Sequence, residues 1–256
     1  MANPSYTRTR AITRTRTAEI DAGLRAYMNK VYALMASAMI ITGLVAYVVG
    51  TDYNAAVHGQ PTALIPVDLL ATMFTSPMVY VIMFSPLAIV FGLSAMINRI
   101  SAGTAQMVFW GFAALIGLSL SSIFAIYTGY SIAQTFLVTA IAFGGLSLYG
   151  YTTKKDISGW GAFLIMGVIG LIVASIVNIF MASAAMQFAI SVIGVLIFAG
   201  LTAYDTQKIK NEYLVMRTTP GGEAWLAKGA VMGALRLYLD FLNMFMFLLH
   251  LMGNRQ

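Results

Sequence analysis

Cysteine is absent from this 256-residue chain, histidine occurs twice, and charged residues make up only 9% of it. The first absence excludes disulfides, thiolate catalysis and cysteine-based metal sites. The scarcity of charge excludes more. At 59% hydrophobic residues and a mean hydropathy of +0.81, a water-soluble domain of this length has too little polar surface to cover itself, whereas a bilayer requires such a composition. Lys and Arg are also missing from three separate stretches, 51–75, 128–131 and 182–185.

What remains is arranged in apolar runs of about 20 residues, the length that spans a bilayer as a helix. Seven are present, at about 31–50, 76–98, 106–127, 132–151, 161–181, 186–206 and 230–251. The expectation is an all-α integral membrane protein: a basic N-terminal tail over 1–30 and a seven-helix bundle over 31–253. Basic residues sit before the first run (Arg8, Arg10, Arg14, Arg16, Arg25, Lys30) and after every second run (Arg99; Lys154 and Lys155; Lys208, Lys210, Arg217 and Lys228). The three stretches without Lys or Arg alternate with them. By the positive-inside bias, the N-terminus is expected in the cytoplasm and the C-terminus on the far side. The same bias explains the formal charge of +6 without a nucleic-acid partner. The first run is too long for the apolar core of a signal peptide and lacks a cleavage site after Gly50.

Two runs carry acids. Gly229, Gly233, Arg236, Asp240, Asn243, Phe247 and His250 follow steps of three or four and form one face of the last helix. Gly229 and Gly233 form a GxxxG that lets two backbones approach. The sixth helix has a matching stripe, Ser191, Gly194, Phe198, Leu201, Asp205 and Lys208. Such a polar face turns away from lipid, so the last helix is expected to be buried. Intramembrane acids mark ion or proton paths by default, because each costs at least about 2.5 kcal/mol on the mildest scale. A structural reading stands beside that one: Arg236 lies four residues before Asp240, at the spacing of an intrahelical ion pair, and Asp205 has Lys208 a turn later. Asp205 and Asp240 can approach if the sixth helix extends past Asp205 or if water penetrates from the cytoplasm. In the second run, Pro86 implies a bent helix, read here as structural or as a hinge.

The order Gly117-Leu-Ser-Leu-Ser-Ser122, Phe143-Gly-Gly-Leu-Ser-Leu-Tyr-Gly-Tyr151, Tyr204-Asp205-Thr206-Gln207 and Leu235-Arg-Leu-Tyr-Leu-Asp-Phe-Leu-Asn243 resembles the Bax inhibitor family, the transmembrane BAX inhibitor motif group. The resemblance covers about residues 25–253; the Thr-Arg tail outside it resembles the bacterial branch. It implies six helices around a central seventh, a place in the bacterial inner membrane, and a calcium leak that responds to pH. It also places the family's two sensor aspartates on Asp205 and Asp240. Other members latch that pair with charges in the second helix; 76–98 contains none here, and Arg99 is the nearest candidate.

The chemistry suits that implication. Two carboxylates held close in a low-dielectric site titrate as a unit. When ionised they offer calcium hard oxygen ligands, too few for a closed site, so weak calcium binding at Asp205 and Asp240 is expected, with Asn243 as a further donor. No other cofactor is expected. A retinal protein is excluded, since 229–253 contains no lysine for a Schiff base. A serine hydrolase is disfavoured: the Gly-x-Ser sequences ending at Ser94, Ser119 and Ser147 have no nearby base except His250, near the far end of its helix. The chain is therefore expected not to be an enzyme. Two rivals remain: a regulator that engages a membrane protease, and a proton-coupled calcium exchanger.

Overall fold

The structure, a computed structural model, describes the backbone of residues 4–255 and the side chains of residues 21–255. Among these, the elements are α1 (Pro4–Val57), α2 (Val67–Thr75), α3 (Met78–Met96), α4 (Ala102–Leu120) with a 3-10 turn at Ser121–Ala125, α5 (Gly129–Thr152), α6 (Trp160–Met181), α7 (Ala184–Met216) and α8 (Gly222–Met252). Seven are long and apolar enough to cross a membrane; α2 is the exception. The arginines at 8, 10, 14 and 16 lie outside the residues whose side chains are described. Packing starts before the expected tail ends, because Leu24, Tyr27 and Met28 are already buried.

The long connection after α1 is tied down by an acid that hydropathy overlooks. Asp52 is buried and accepts the backbone N–H groups of Ala63, Leu64 and Ile65 at 2.8, 2.8 and 2.7 Å. It thereby satisfies three donors that lie in no helix. The Pro66 that follows sits immediately before α2, as a residue that opens a helix without needing its own N–H.

Helix α8 is the most buried of the seven. Of its most apolar 18-residue stretch 61% is buried, against 39% for α1 and 17% for α3 and α6. It packs extensively on four spans, α1, α4, α5 and α7. Helix α3 joins the bundle through α4, and α6 joins it through α7. Of the six helices that the resemblance implies around α8, α1, α4, α5 and α7 pack closely on it, and α3 and α6 lie farther out. Both outer helices are apolar on nearly every face and present them outward: Val81, Phe84, Phe91, Phe163, Ile169 and Phe180 are all exposed. In a bilayer such faces meet lipid at no cost.

Pro86 has no N–H to give the Ile82 carbonyl, which keeps within its own helix only a long bond from the Ser85 hydroxyl at 3.4 Å. The hydroxyl of Ser119, on α4, reaches that carbonyl at 2.9 Å and the Leu115 carbonyl of its own helix at 3.1 Å. The break in α3 is therefore part of the α3–α4 contact, which favours the structural reading of the proline. Ser119→Ala is expected to cost about 1 kcal/mol by leaving that carbonyl only the long Ser85 bond. Ser122→Ala is the control, since Ser122 bonds only within its own turn. Thermal unfolding of both variants in detergent checks this; equal midpoints would refute it.

Candidate functional site

Helix α7 continues eleven residues beyond Asp205, to Met216, and α8 begins at Gly222, eight residues before the apolar run. Lys210 therefore stands on the helix whose stripe already included Lys208, rather than in a connection. This extension carries the α7 stripe alongside α8, with small residues at the contact. A β-carbon on Gly233 would meet Ile209 at 3.2 Å, and one on Gly229 would meet the Tyr27 hydroxyl at 3.0 Å. On the α7 side, a β-carbon on Gly194 would run into the Phe247 ring at 2.6 Å. Gly233 and Gly194 set the separation of α7 and α8, with the acids between these two contacts, while Gly229 makes room for Tyr27 of α1.

Asp240 is buried, with 4% of its surface exposed, and Asp205 is half-buried. Their carboxyl groups come within hydrogen-bonding reach of each other. Oδ2 of Asp240 is fully enclosed and has no donor from any other described group. Two carboxylates are both acceptors, so a bond between them requires a proton.

The other sequence-selected residues fall around the pair as follows. Arg236 bonds not to Asp240 but to Glu212, at 2.8 Å, with each side chain about one-third exposed. It is the one ion pair among the described residues. The intrahelical Arg236–Asp240 brace is thus corrected: Arg236 reaches across to α7, where a partly exposed carboxylate costs less to keep charged than a buried one. Lys208 is exposed and lies over the Tyr204 ring at 5.8 Å, close enough to act on Asp205 by charge. Asn243 donates to the Leu239 carbonyl of its own helix at 2.8 Å. Arg99 is exposed at the turn after α3 and belongs to no ion pair.

Sequence reading missed Glu212, although the signal was there. Asp205, Lys208 and Glu212 continue the α7 stripe in steps of three and four. It also missed Gln207, which is buried and grips the α5–α6 connection from both ends of its amide: Oε1 accepts the Ile157 N–H at 2.9 Å and Nε2 donates to the Lys155 carbonyl at 2.8 Å. In that connection the Ser158 backbone N–H, with its hydroxyl, holds the Asp156 carboxyl below the usual carboxylate range. Among the described residues, no group of three or more His, Cys, Asp or Glu side chains gathers as a metal site.

A double-mutant cycle separates the two possible partners of Arg236. Coupling between Arg236→Met and Glu212→Gln is expected at about 1 kcal/mol, modest because both side chains are partly solvated. Coupling between Arg236→Met and Asp240→Asn is expected to be smaller. Thermal unfolding of the corresponding variants in detergent measures both; the reverse order would restore the intrahelical brace.

Seven apolar spans, with a carboxyl pair enclosed between the last two, define a multi-pass membrane protein with an intramembrane ionisable centre. The family model described as inhibitor of apoptosis-promoting Bax1 matches residues 24–256, and the chain belongs to that family. It is 45% identical over 238 residues to inner membrane protein YbhL of Escherichia coli K12, covering 92% of this chain and 94% of that protein. A protein of Caulobacter vibrioides is 45% identical over 237 residues, 93% of this chain and 92% of its own length. Protein RP147 of Rickettsia prowazekii is 41% identical over 251 residues, 98% of each chain.

Proposed function

We propose that this protein is a pH-sensitive calcium leak of the bacterial inner membrane, gated by Asp205 and Asp240, with its N-terminal tail in the cytoplasm. The observation that carries the reading is the enclosed Asp240 carboxyl, whose Oδ2 has no hydrogen-bond partner among the described groups, beside the carboxyl of Asp205. While the proton is present, α7 and α8 are tied together at this point and the path is closed. When it leaves, two like charges face each other in a poorly solvated site, the helices separate there, and water enters. The same loss creates a pair of anionic oxygen ligands, so calcium arrives as the path opens. Flux therefore rises with pH. Arg236 and Glu212, on the side of the pair where α7 emerges from its apolar run, hold each other and leave the aspartates free to share the proton.

The test is calcium flux into liposomes containing the full chain, across a pH series, with and without an imposed proton gradient. Flux that rises with pH and follows the calcium gradient alone supports the leak. Flux that requires the proton gradient would instead make it an exchanger. No flux at any pH would overturn the reading.

A further inference from the structure

Helices α1 and α5 both pack on α7 and α8, yet they do not close against each other. They touch through the Tyr32 and Ser147 hydroxyls at 2.7 Å, and the remaining gap is a groove of about 1550 Å³, open to the side of the bundle. Its floor is α8 itself, through Phe241, Leu242 and Phe245, the residues that follow Asp240. Along α1 it runs from Arg25 to Tyr47, roughly 33 Å of helix, comparable with the hydrocarbon thickness of a bilayer. Exposed Ile40, Leu44 and Leu148 lie along it, so it is continuous with the lipid-facing surface.

Charge says what fills it. Among the described residues that line the groove, Arg25 is the only charged one. It is exposed at one mouth and has no ion-pair partner among the described residues; Asn29 and Tyr151 stand at the same end. An apolar channel of bilayer length with a single cation at one mouth matches an acyl chain with an anionic headgroup. We propose that this groove is a binding site for an anionic diacyl phospholipid, with the phosphate at Arg25 and an acyl chain along α1 and α5 above Phe241 and Phe245. The guanidinium matches a phosphate in two-point geometry, while the positive charge of a choline headgroup opposes it.

Two glycines make the test clean. Gly43 and Gly144 both line the groove, and a β-carbon on either meets nothing within 4 Å. Gly43→Leu and Gly144→Leu therefore fill the groove without collision at the first atom, and each replaces glycine in a helix by a better helix former. The experiment is native mass spectrometry of the delipidated full chain titrated with phosphatidylglycerol or phosphatidylcholine of identical acyl chains, with thermal unfolding run in parallel. The wild-type chain is expected to bind phosphatidylglycerol about fivefold more tightly. Arg25→Gln should abolish that preference and leave phosphatidylcholine binding unchanged. Each leucine variant should weaken both lipids about tenfold, the loss of about two buried methylenes, with an unchanged unfolding midpoint. Inorganic phosphate should not compete. Equal affinity of the wild type for the two lipids, undiminished binding by folded leucine variants, or competition by inorganic phosphate would each overturn the proposal. So would a dimer that the leucine variants abolish while lipid binding persists.

Discussion

Asp240→Asn should leave the bundle folded and hold calcium flux at its acid-pH level from mildly acidic to mildly alkaline conditions. The amide has the shape of the carboxyl, and its N–H bonds to Asp205 with no shared proton needed. The α7–α8 link then survives at every pH. A hydrogen bond to a charged acceptor contributes roughly 1.5–3 kcal/mol, so the closed state gains a bias of about ten- to hundredfold at alkaline pH. Asp205→Asn should act in the same direction, since the carboxyl pair is reciprocal. Asp240→Ala differs: it removes the bond as well as the charge, so the block should be lost while Asp205 remains as a lone, weaker ligand. If Asp240→Asn folds normally and its flux still rises with pH like the wild type, the pair is structural and the gate lies elsewhere.

The approach of α7 to Asp240 and Arg236 depends on how far α7 runs, and that length was only partly legible in the sequence. The seven spans follow from hydropathy because a bilayer leaves the backbone no alternative to a helix. The burial of α8 follows from its polar stripe, because a face carrying Arg236, Asp240 and Asn243 is costly against lipid. The end of α7 did not follow. Lys210 and Glu212 lie past the apolar run and the stripe that ends at Lys208, where charge reads as a connection, but a helix does not stop where the membrane does. Its 3.6-residue period carries on through those residues, and following the period instead of the hydropathy places Glu212 beside Arg236.

Other parts of the site were not legible, for a different reason. That Asp52 grips the backbone at 63–65, that Gln207 holds the α5–α6 connection and that Ser119 answers the carbonyl freed by Pro86 are all contacts between elements distant in sequence. A polar residue inside an apolar run shows that a partner is needed and not which one. The groove between α1 and α5 is more remote still. It exists because two helices each pack on a third and not on each other, and periodicity along one helix carries no information about that.

The last expected result concerns the glycine that sets the position of Asp205. Gly150, near the end of α5, faces the α7 backbone so closely that an added β-carbon would lie 2.2 Å from the Ala203 carbonyl oxygen and 3.0 Å from its carbonyl carbon and Cα. Those are main-chain atoms in the middle of a helix, so no side chain can swing aside; the helices must part. Close approach of this kind is what small residues supply between membrane helices. Three residues along α5, Ser147 bonds to Thr206 at 3.0 Å, so the crossing holds α7 immediately before and after Asp205. Gly150→Ala is therefore expected to destabilise the bundle by about 3 kcal/mol and to displace Asp205 from Asp240. Gly145→Ala, in the same helix but with nothing within 4 Å of its added carbon, should be neutral or slightly stabilising, since alanine favours a helix over glycine by about 1 kcal/mol. Thermal unfolding in detergent and the pH profile of calcium flux separate the two variants. Where Gly150→Ala retains enough fold to reconstitute, its flux should rise at acid pH, because a displaced carboxyl cannot share the proton that closes the path. A Gly150→Ala protein with wild-type stability and a wild-type pH profile would show that the α5–α7 crossing does not hold the gate.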